Sequence, residues 1–278
     1  MSIEEDFCNE LLDAVNNDRL TLPTLPEVAL KIRDAVNHTD VSAGGLSDVI
    51  ASDVAMSARL IKVANSPLLR GRVVVDNLQM AITRLGITFV RNLATGLAME
   101  QMFQATSDVI DKRLRASWEH SLEVGSIAHV LAHHFGRLKP DQATLAGLTH
   151  EIGILPILTM AEEMPELLEN EEILDSIIDR YHAKIGSAIL RSWDFPEELA
   201  LVPEAYMDFG RNVSEVPDYG DLVTVANLQS RIGTNHPLTK IDWSTIPAFD
   251  KLGMSHEVDV NEAEEFLEEV AGAKMMLV

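Results

Sequence analysis

Apolar residues recur at helical spacing along almost the whole chain, and no two segments share the strict alternation that paired strands need. Val28, Ala29, Ile32 and Val36 line one helical face, Ala58, Ile61 and Ala64 another, and Ile87, Val90, Ala94 and Leu97 a third. The same spacing predicts helices over 46–52, 54–64, 78–85, 87–103, 108–135, 141–152, 171–192 and 219–232, with a shorter one from Pro196. Gly86 separates two of these, and Gly136 with Pro140 stops the longest. Ser2, followed three residues later by Glu5, forms a capping box ahead of Phe7, Leu11, Leu12 and Val15, and that helix breaks at Asn16-Asn17-Asp18. Leu22-Pro23-Thr24-Leu25-Pro26 cannot be helix interior, because each proline removes a donor and disfavours helix in the residue before it. Asn37 to Gly45 reads as a connector, and Val73-Val74-Val75 has strand composition but no matching partner, so an extended connection is expected there. The expected fold class is all-α.

Ala105-Thr106-Ser107 interrupts the helical pattern. It divides the chain into an N-terminal bundle over 1–107, a second bundle over 108–235 and an acidic C-terminal extension over 236–278. Acidic side chains outnumber basic ones 44 to 22, for a net charge of −22, and residues 101–278 carry 31 of the acids against 13 bases. Seven acids fall within Glu162–Asp175 and another seven within Glu257–Glu269. Such runs read as solvated helix faces, with an acidic docking surface for a basic partner as the alternative. A field of this sign repels phosphate backbones and anionic headgroups, so neither nucleic acid nor a membrane surface is expected as a partner. Cys8 stands alone, which excludes an internal disulfide and a thiolate zinc cluster. The start, MSIEED, is acidic where a secretion signal would be basic and then apolar. The longest apolar run, around Ile152 to Ala161, is too short for a bilayer and contains Pro156. A cytoplasmic protein is expected.

The stretch most able to carry chemistry is Gly147-Leu148-Thr149-His150-Glu151-Ile152-Gly153. On a helix, Ala143, Ala146, Gly147 and His150 share one face of small residues, which lets a neighbouring helix approach and points His150 into an interface. His150 and Glu151 offer an imidazole and a carboxylate, donors that can ligate a metal ion. Adjacent helical residues diverge by about 100°, so a shared ion requires helix-end geometry or a bridging water; a core histidine satisfied by hydrogen bonds is the alternative. His120, in line with Val124, Ile127 and Leu131, is placed to meet His150 across a helix pair. His129 and His133 lack the glutamate of an HExxH motif and any third ligand nearby, and are assigned to a helix surface. The nearest cation in sequence to His150 is Lys139, so none is expected there to clamp a phosphate. Gly44-Gly45 lacks the lysine of a P-loop, and no GxSxG nucleophile elbow occurs.

Seven ordered elements between Leu22 and about residue 230 make the sequence resemble the HDOD family, the HD-related output domain of bacterial signalling proteins. They begin with Leu22-Pro23-Thr24-Leu25-Pro26 and Ala64-Asn65-Ser66, continue through Ala81-Ile82-Thr83-Arg84-Leu85-Gly86 and Trp118-Glu119-His120-Ser121, and reach the degenerate HD motif at Gly147–Gly153. His182 to Gly186 and Trp193 to Pro196 complete the set. The resemblance implies an N-terminal helical bundle packed against an HD-domain-like helical bundle, related to metal-dependent phosphohydrolases. A working HD site resembles a histidine, a His-Asp pair and a further aspartate around a divalent ion that activates water. The matching positions here are His120, His150, Glu151 and, within Val225-Ala226-Asn227-Leu228, Asn227. Glutamate lengthens one ligand by a methylene, and asparagine removes a charge that would neutralise the ion and lower the pKa of its water. The His-His pair that often follows Trp-x-x-Pro reads Tyr206-Met207.

These departures argue against hydrolysis. The resemblance then implies a stand-alone, non-catalytic regulatory protein that binds other signalling proteins in bacterial signal transduction, needs no cofactor and receives its input in trans. His120, His150 and Glu151 are vestigial metal candidates, and His182 and Asn227 are ligand-binding candidates. The alternative is a phosphohydrolase acting on a nucleotide or phosphodiester with Mn, Fe, Ni or Zn. A third possibility is a degenerate pocket that senses a nucleotide.

Overall fold

The computed structural model describes residues 22–37, 41–254 and 260–278, together with Phe7, Leu11 and Asp13. The described residues form helices and no strand, as the spacing predicts. In the N-terminal half these are α1 (Glu27–Asn37), α2 (Ala43–Ile50), α3 (Val54–Ala64), α4 (Leu78–Leu85) and α5 (Ile87–Ala98). The second half contains α6 (Asp108–Phe135), α7 (Pro140–Thr149), α8 (Ile154–Ala161), α9 (Glu171–Ser192) and α10 (Tyr219–Ser230), and α11 (Pro247–Leu252) and α12 (Val260–Leu277) complete the chain. Phe7 and Leu11 are fully buried; the capping box at Ser2 and Glu5, the rest of that stripe, the break at Asn16–Asp18 and Cys8 lie outside the described residues.

Side-chain caps set several boundaries. Asp53 accepts the Met56 N–H at 2.9 Å and starts α3. The Ser42 hydroxyl accepts the Gly45 N–H at 3.1 Å, so α2 begins inside the stretch expected to be a connector. At the far end of α3, Asn65 donates to the Val75 carbonyl at 2.7 Å and accepts the Val75 N–H at 2.9 Å. One amide side chain thus supplies what a neighbouring strand would, and the valine run stays extended without a sheet. Gly86 joins α4 to α5 at φ +87°, a backbone that side chains rarely adopt.

The long α6 is the axis of the second half and packs against α7, α10 and α12. The small-residue face of α7 meets it as expected: a Cβ on Gly147 would lie 2.5 Å from the Gly125 Cα. Two corrections follow from this packing. His129 is buried, not on the surface, and its ring Nδ1 lies 2.9 Å from the Thr144 hydroxyl, because α6 is covered on several sides. An unforeseen helix, α8, accommodates Pro156 in its first turn, where no donor is missed.

Two residues far apart in sequence tie the halves together. The Trp193 indole donates to the Pro23 carbonyl at 2.9 Å, and Arg33 donates to the Trp193 carbonyl at 3.0 Å. The prolines that keep residues 22–26 out of a helix leave the Pro23 carbonyl free to receive that indole. Near the C-terminus, buried Lys251 pairs with buried Asp221 at 3.1 Å, and Arg211 joins them at 3.3 Å. Helix α12 docks on α6 and α3 through Val270, Ala273, Met276 and Leu277, with Lys274 paired to Glu123. Among the described residues one stretch, Pro140–Ala161, is long and apolar enough to cross a membrane, and 83% of its most apolar window is buried inside the protein. The sequence reading, which stopped at Ile152 to Ala161, underestimated that length.

Candidate functional site

Helix α7 ends at Thr149, so His150 caps it and Glu151 falls in the turn beyond. This is the helix-end geometry that lets adjacent side chains converge. His120 reaches the same point from α6, with its ring 5.2 Å from that of His150. One nitrogen from each histidine and one Glu151 oxygen lie within 4.8 Å of one another. The Glu151 Oε1 is 3.8 Å from His120 Nε2 and 4.0 Å from His150 Nε2, while the Ser117 hydroxyl donates to the other oxygen at 3.0 Å.

The ring of His150 is oriented from behind. Its Nδ1 lies 2.7 Å from the Gly147 carbonyl, so that nitrogen carries the proton and Nε2 presents a lone pair to the cluster. That Nε2 is buried and has no hydrogen-bond partner among the described residues. A ring held this way is how metal-ligating histidines are usually fixed. Tyr206 packs edge-on against His150 at 4.7 Å. His182 stands one layer further back: its Nδ1 donates to the Ile178 carbonyl at 2.6 Å and its Nε2 accepts the Tyr206 hydroxyl at 2.7 Å. Both of its nitrogens are used, and it is not brought into the trio; it holds Tyr206, which in turn fixes one face of His150.

Helix α10 supplies the remaining wall. Asn227 Oδ1 is 3.1 Å from His120 Nε2, and its amide nitrogen lies 3.9 Å from the Met207 sulfur. The Tyr206-Met207 pair therefore lines the place where the family pattern often has two histidines. Arg231, capping the end of α10, brings its Nη2 to 2.9 Å from His120 Nε2. The expectation that no cation stands near His150 is overturned: Arg231 lies 111 residues from His120 in sequence, and only the packing of α10 on α6 brings it there. No local signal in the sequence marks it.

Burial governs the charges. It lowers the pKa of His120 to about 2, assisted by His150 and Arg231, and that of His150 to about 3. Burial raises the Glu151 carboxyl above its usual range, against the opposing influence of His182 and the Ser117 hydrogen bond. The Arg231 guanidinium is pushed down by burial and held up by Glu151. As donors for a divalent ion, His150 and Glu151 are correctly set. His120 is not, because its Nε2 is already engaged, 3.1 Å from the Asn227 oxygen and 2.9 Å from the Arg231 guanidinium. The nearby amide of Asn227 adds no negative charge, so one carboxylate is balanced against one arginine before any ion arrives. The arrangement as folded does not fit a divalent cation.

Comparison with known proteins agrees with this architecture. The HDOD domain family matches residues 22–206. A solved structure from Shewanella amazonensis SB2B, whose name proposes a metal-dependent phosphohydrolase, is 33% identical, covers 100% of both chains and superposes with a TM-score of 0.87. A Marinobacter aquaeolei VT8 structure, whose name proposes a signal transduction protein, is 22% identical over 99% of this chain and 66% of its own, with a TM-score of 0.60. An uncharacterized protein of Treponema pallidum (strain Nichols) is 29% identical over 192 residues, which are 63% of this chain. The chain spans 36% of the length of that curated relative.

Proposed function

The chain belongs to the HDOD family, and from that membership we propose a non-catalytic regulatory protein that acts in the bacterial cytoplasm by binding other signalling proteins. The observation that carries this reading is the donor set: the nitrogen of His120 that a divalent ion would need faces Arg231 at 2.9 Å. Asn227 stands where a second carboxylate would be required, which leaves Glu151 as the only acid of the trio. Hydrolysis of phosphate esters by an HD-type site depends on an ion that acidifies water, and these residues work against holding one.

Purified protein incubated with Mn²⁺ and a phosphodiester is expected to release phosphate no faster than its His150→Ala variant. Affinity capture from cells is expected to recover signalling proteins with both. Metal-dependent turnover that disappears in His150→Ala would overturn the proposal.

A second reading is favoured by the free buried nitrogen of His150 and by the name of the 33% identical Shewanella protein. It is a phosphohydrolase acting on a nucleotide or phosphodiester, and it predicts stoichiometric Mn, Fe, Ni or Zn in protein purified without chelator. Metal-free protein that stays inert when any of these ions is added would remove it.

A further inference from the structure

Residues 54–99 carry six basic side chains and one acid, Asp76, in a chain whose net charge is −22. Two of these bases are committed within the fold. Arg59 pairs with Glu100 at 2.5 Å, and Arg84 donates to the Ala64 carbonyl at 3.1 Å and to the Val73 carbonyl. Arg70 and Arg72 are exposed and form no ion pair among the described residues.

These two arginines lead into Val73-Val74-Val75, which is tied down along one edge only. The Arg84 guanidinium takes the Val73 carbonyl, and the Asn65 amide takes both the N–H and the carbonyl of Val75. Backbone groups of an extended chain alternate between its two edges, residue by residue, so the N–H and carbonyl of Val74 lie on the other edge. Among the described residues neither forms a hydrogen bond. The Val73 and Val74 side chains are 63% and 76% exposed. Water can satisfy such an edge, but it is also a template for a further strand, and proteins usually blunt it with proline, inward charge or a covering element. Beside it lies a cavity of about 540 Å³ lined by Val75, Asn77, Gln79, Met80, Thr83 and Arg84. Val75 and Arg84 belong to both. An open strand edge supplies affinity through main-chain bonds, and an adjoining pocket supplies selectivity through a side chain.

We propose that the outer edge of Val73-Val74-Val75, with the adjoining cavity, is a docking site for an extended acidic segment of a partner protein, which adds as a strand and places one apolar side chain in the cavity. Charge selects the occupant. Arg70 and Arg72 complement carboxylates, whereas two copies of this chain meeting edge to edge would bring two basic stretches together. The inference rests on the reading of the chain as a protein that binds other proteins, and it locates that binding on residues outside the His120 cluster.

The test is a fluorescence-anisotropy titration of the full chain with labelled peptides of the form EDEVxVEDE, x varied over the apolar residues. The best of them is expected to bind saturably, more weakly as salt is added, and its counterpart with lysine in place of every acid is expected not to bind. Val74→Pro, which deletes the outward N–H, and Arg72→Glu should each weaken binding roughly tenfold. Methylating one alternate set of the peptide's backbone nitrogens should abolish binding, and methylating the other set should not. That comparison leaves the protein unchanged and decides the matter if a variant does not fold. No binding across the panel, equal binding of the lysine peptides, or binding indifferent to Val74→Pro or to both methylation patterns would overturn the proposal. So would a dimer of the protein alone, detected by sedimentation and lost in Val74→Pro, because the edge would then belong to a second copy. Metal-dependent turnover by the wild type would sink the regulatory reading, while the peptide titrations would still report on this edge separately.

Discussion

Gly153→Ala is expected to lower the thermal midpoint by about 10 °C, or to leave no folded protein to measure. A Cβ at this position would lie 1.9 Å from the His182 carbonyl oxygen and 2.6 Å from the Gly186 nitrogen, both backbone atoms of α9. Backbone cannot rotate aside as a side chain can, so the whole of α9 would have to retreat. Overpacking in well-packed cores costs about 1–3 kcal/mol and more where nothing yields, and a domain of this size loses about 2–4 °C per kcal/mol. The backbone of Gly153 is itself ordinary, at φ −68°, so the effect would be purely steric. Gly136→Ala provides the contrast: it meets nothing within 4 Å but sits at φ +70°, and should cost only about 1–2 kcal/mol of backbone strain. Thermal melts followed by circular dichroism compare the two. A Gly153→Ala midpoint close to that of the wild type would mean that α9 does not approach the turn after His150 so closely.

Acid is expected to destabilise the protein by about 3–5 kcal/mol between pH 7 and pH 5. Burial holds His120, His150 and His129 neutral, with pKa values lowered from 6.5 to about 2, 3 and 4. A lowered histidine pKa means that the unfolded chain binds protons that the native state refuses. The stability these rings contribute is therefore complete above about pH 6.5 and is lost as the pH falls toward the folded values. Each ring costs about 1.4 kcal/mol per pH unit within that window. Glu151 acts in the opposite direction, because its raised pKa lets the native state take up a proton more readily as the pH falls. It is one group against four, since burial lowers His236 as well, so the net slope keeps its sign. Urea midpoints at pH 7 and pH 5 measure the effect. His129→Gln keeps a polar partner for Thr144 and should remove about a third of the slope. A slope unaltered by that substitution would show that His129 titrates normally in the folded protein.

Much of the architecture was legible without coordinates. The extents of α3, α6 and α9 agree with the predicted spans to within a residue, because apolar spacing and capping act over a few residues. The small face of α7 announced a close helix contact, and Gly147 against Gly125 is that contact. His120, His150 and Glu151 were named from residue type and motif, and they converge. Other features left no local trace. The indole of Trp193 reaches Pro23 across 170 residues, and Arg231 reaches His120 across 111. His129 looked like a surface residue because helical spacing identifies one buried stripe, whereas α6 is covered by several neighbours.

The amino-acid order by itself determined that the chain is helical, where most helices start and stop, and which residues could donate to an ion. Only the tertiary structure decided that the donors face an arginine instead. Helix formation depends on neighbours a few positions away, whereas the balance of charge in a buried site depends on groups that become neighbours only after helices pack.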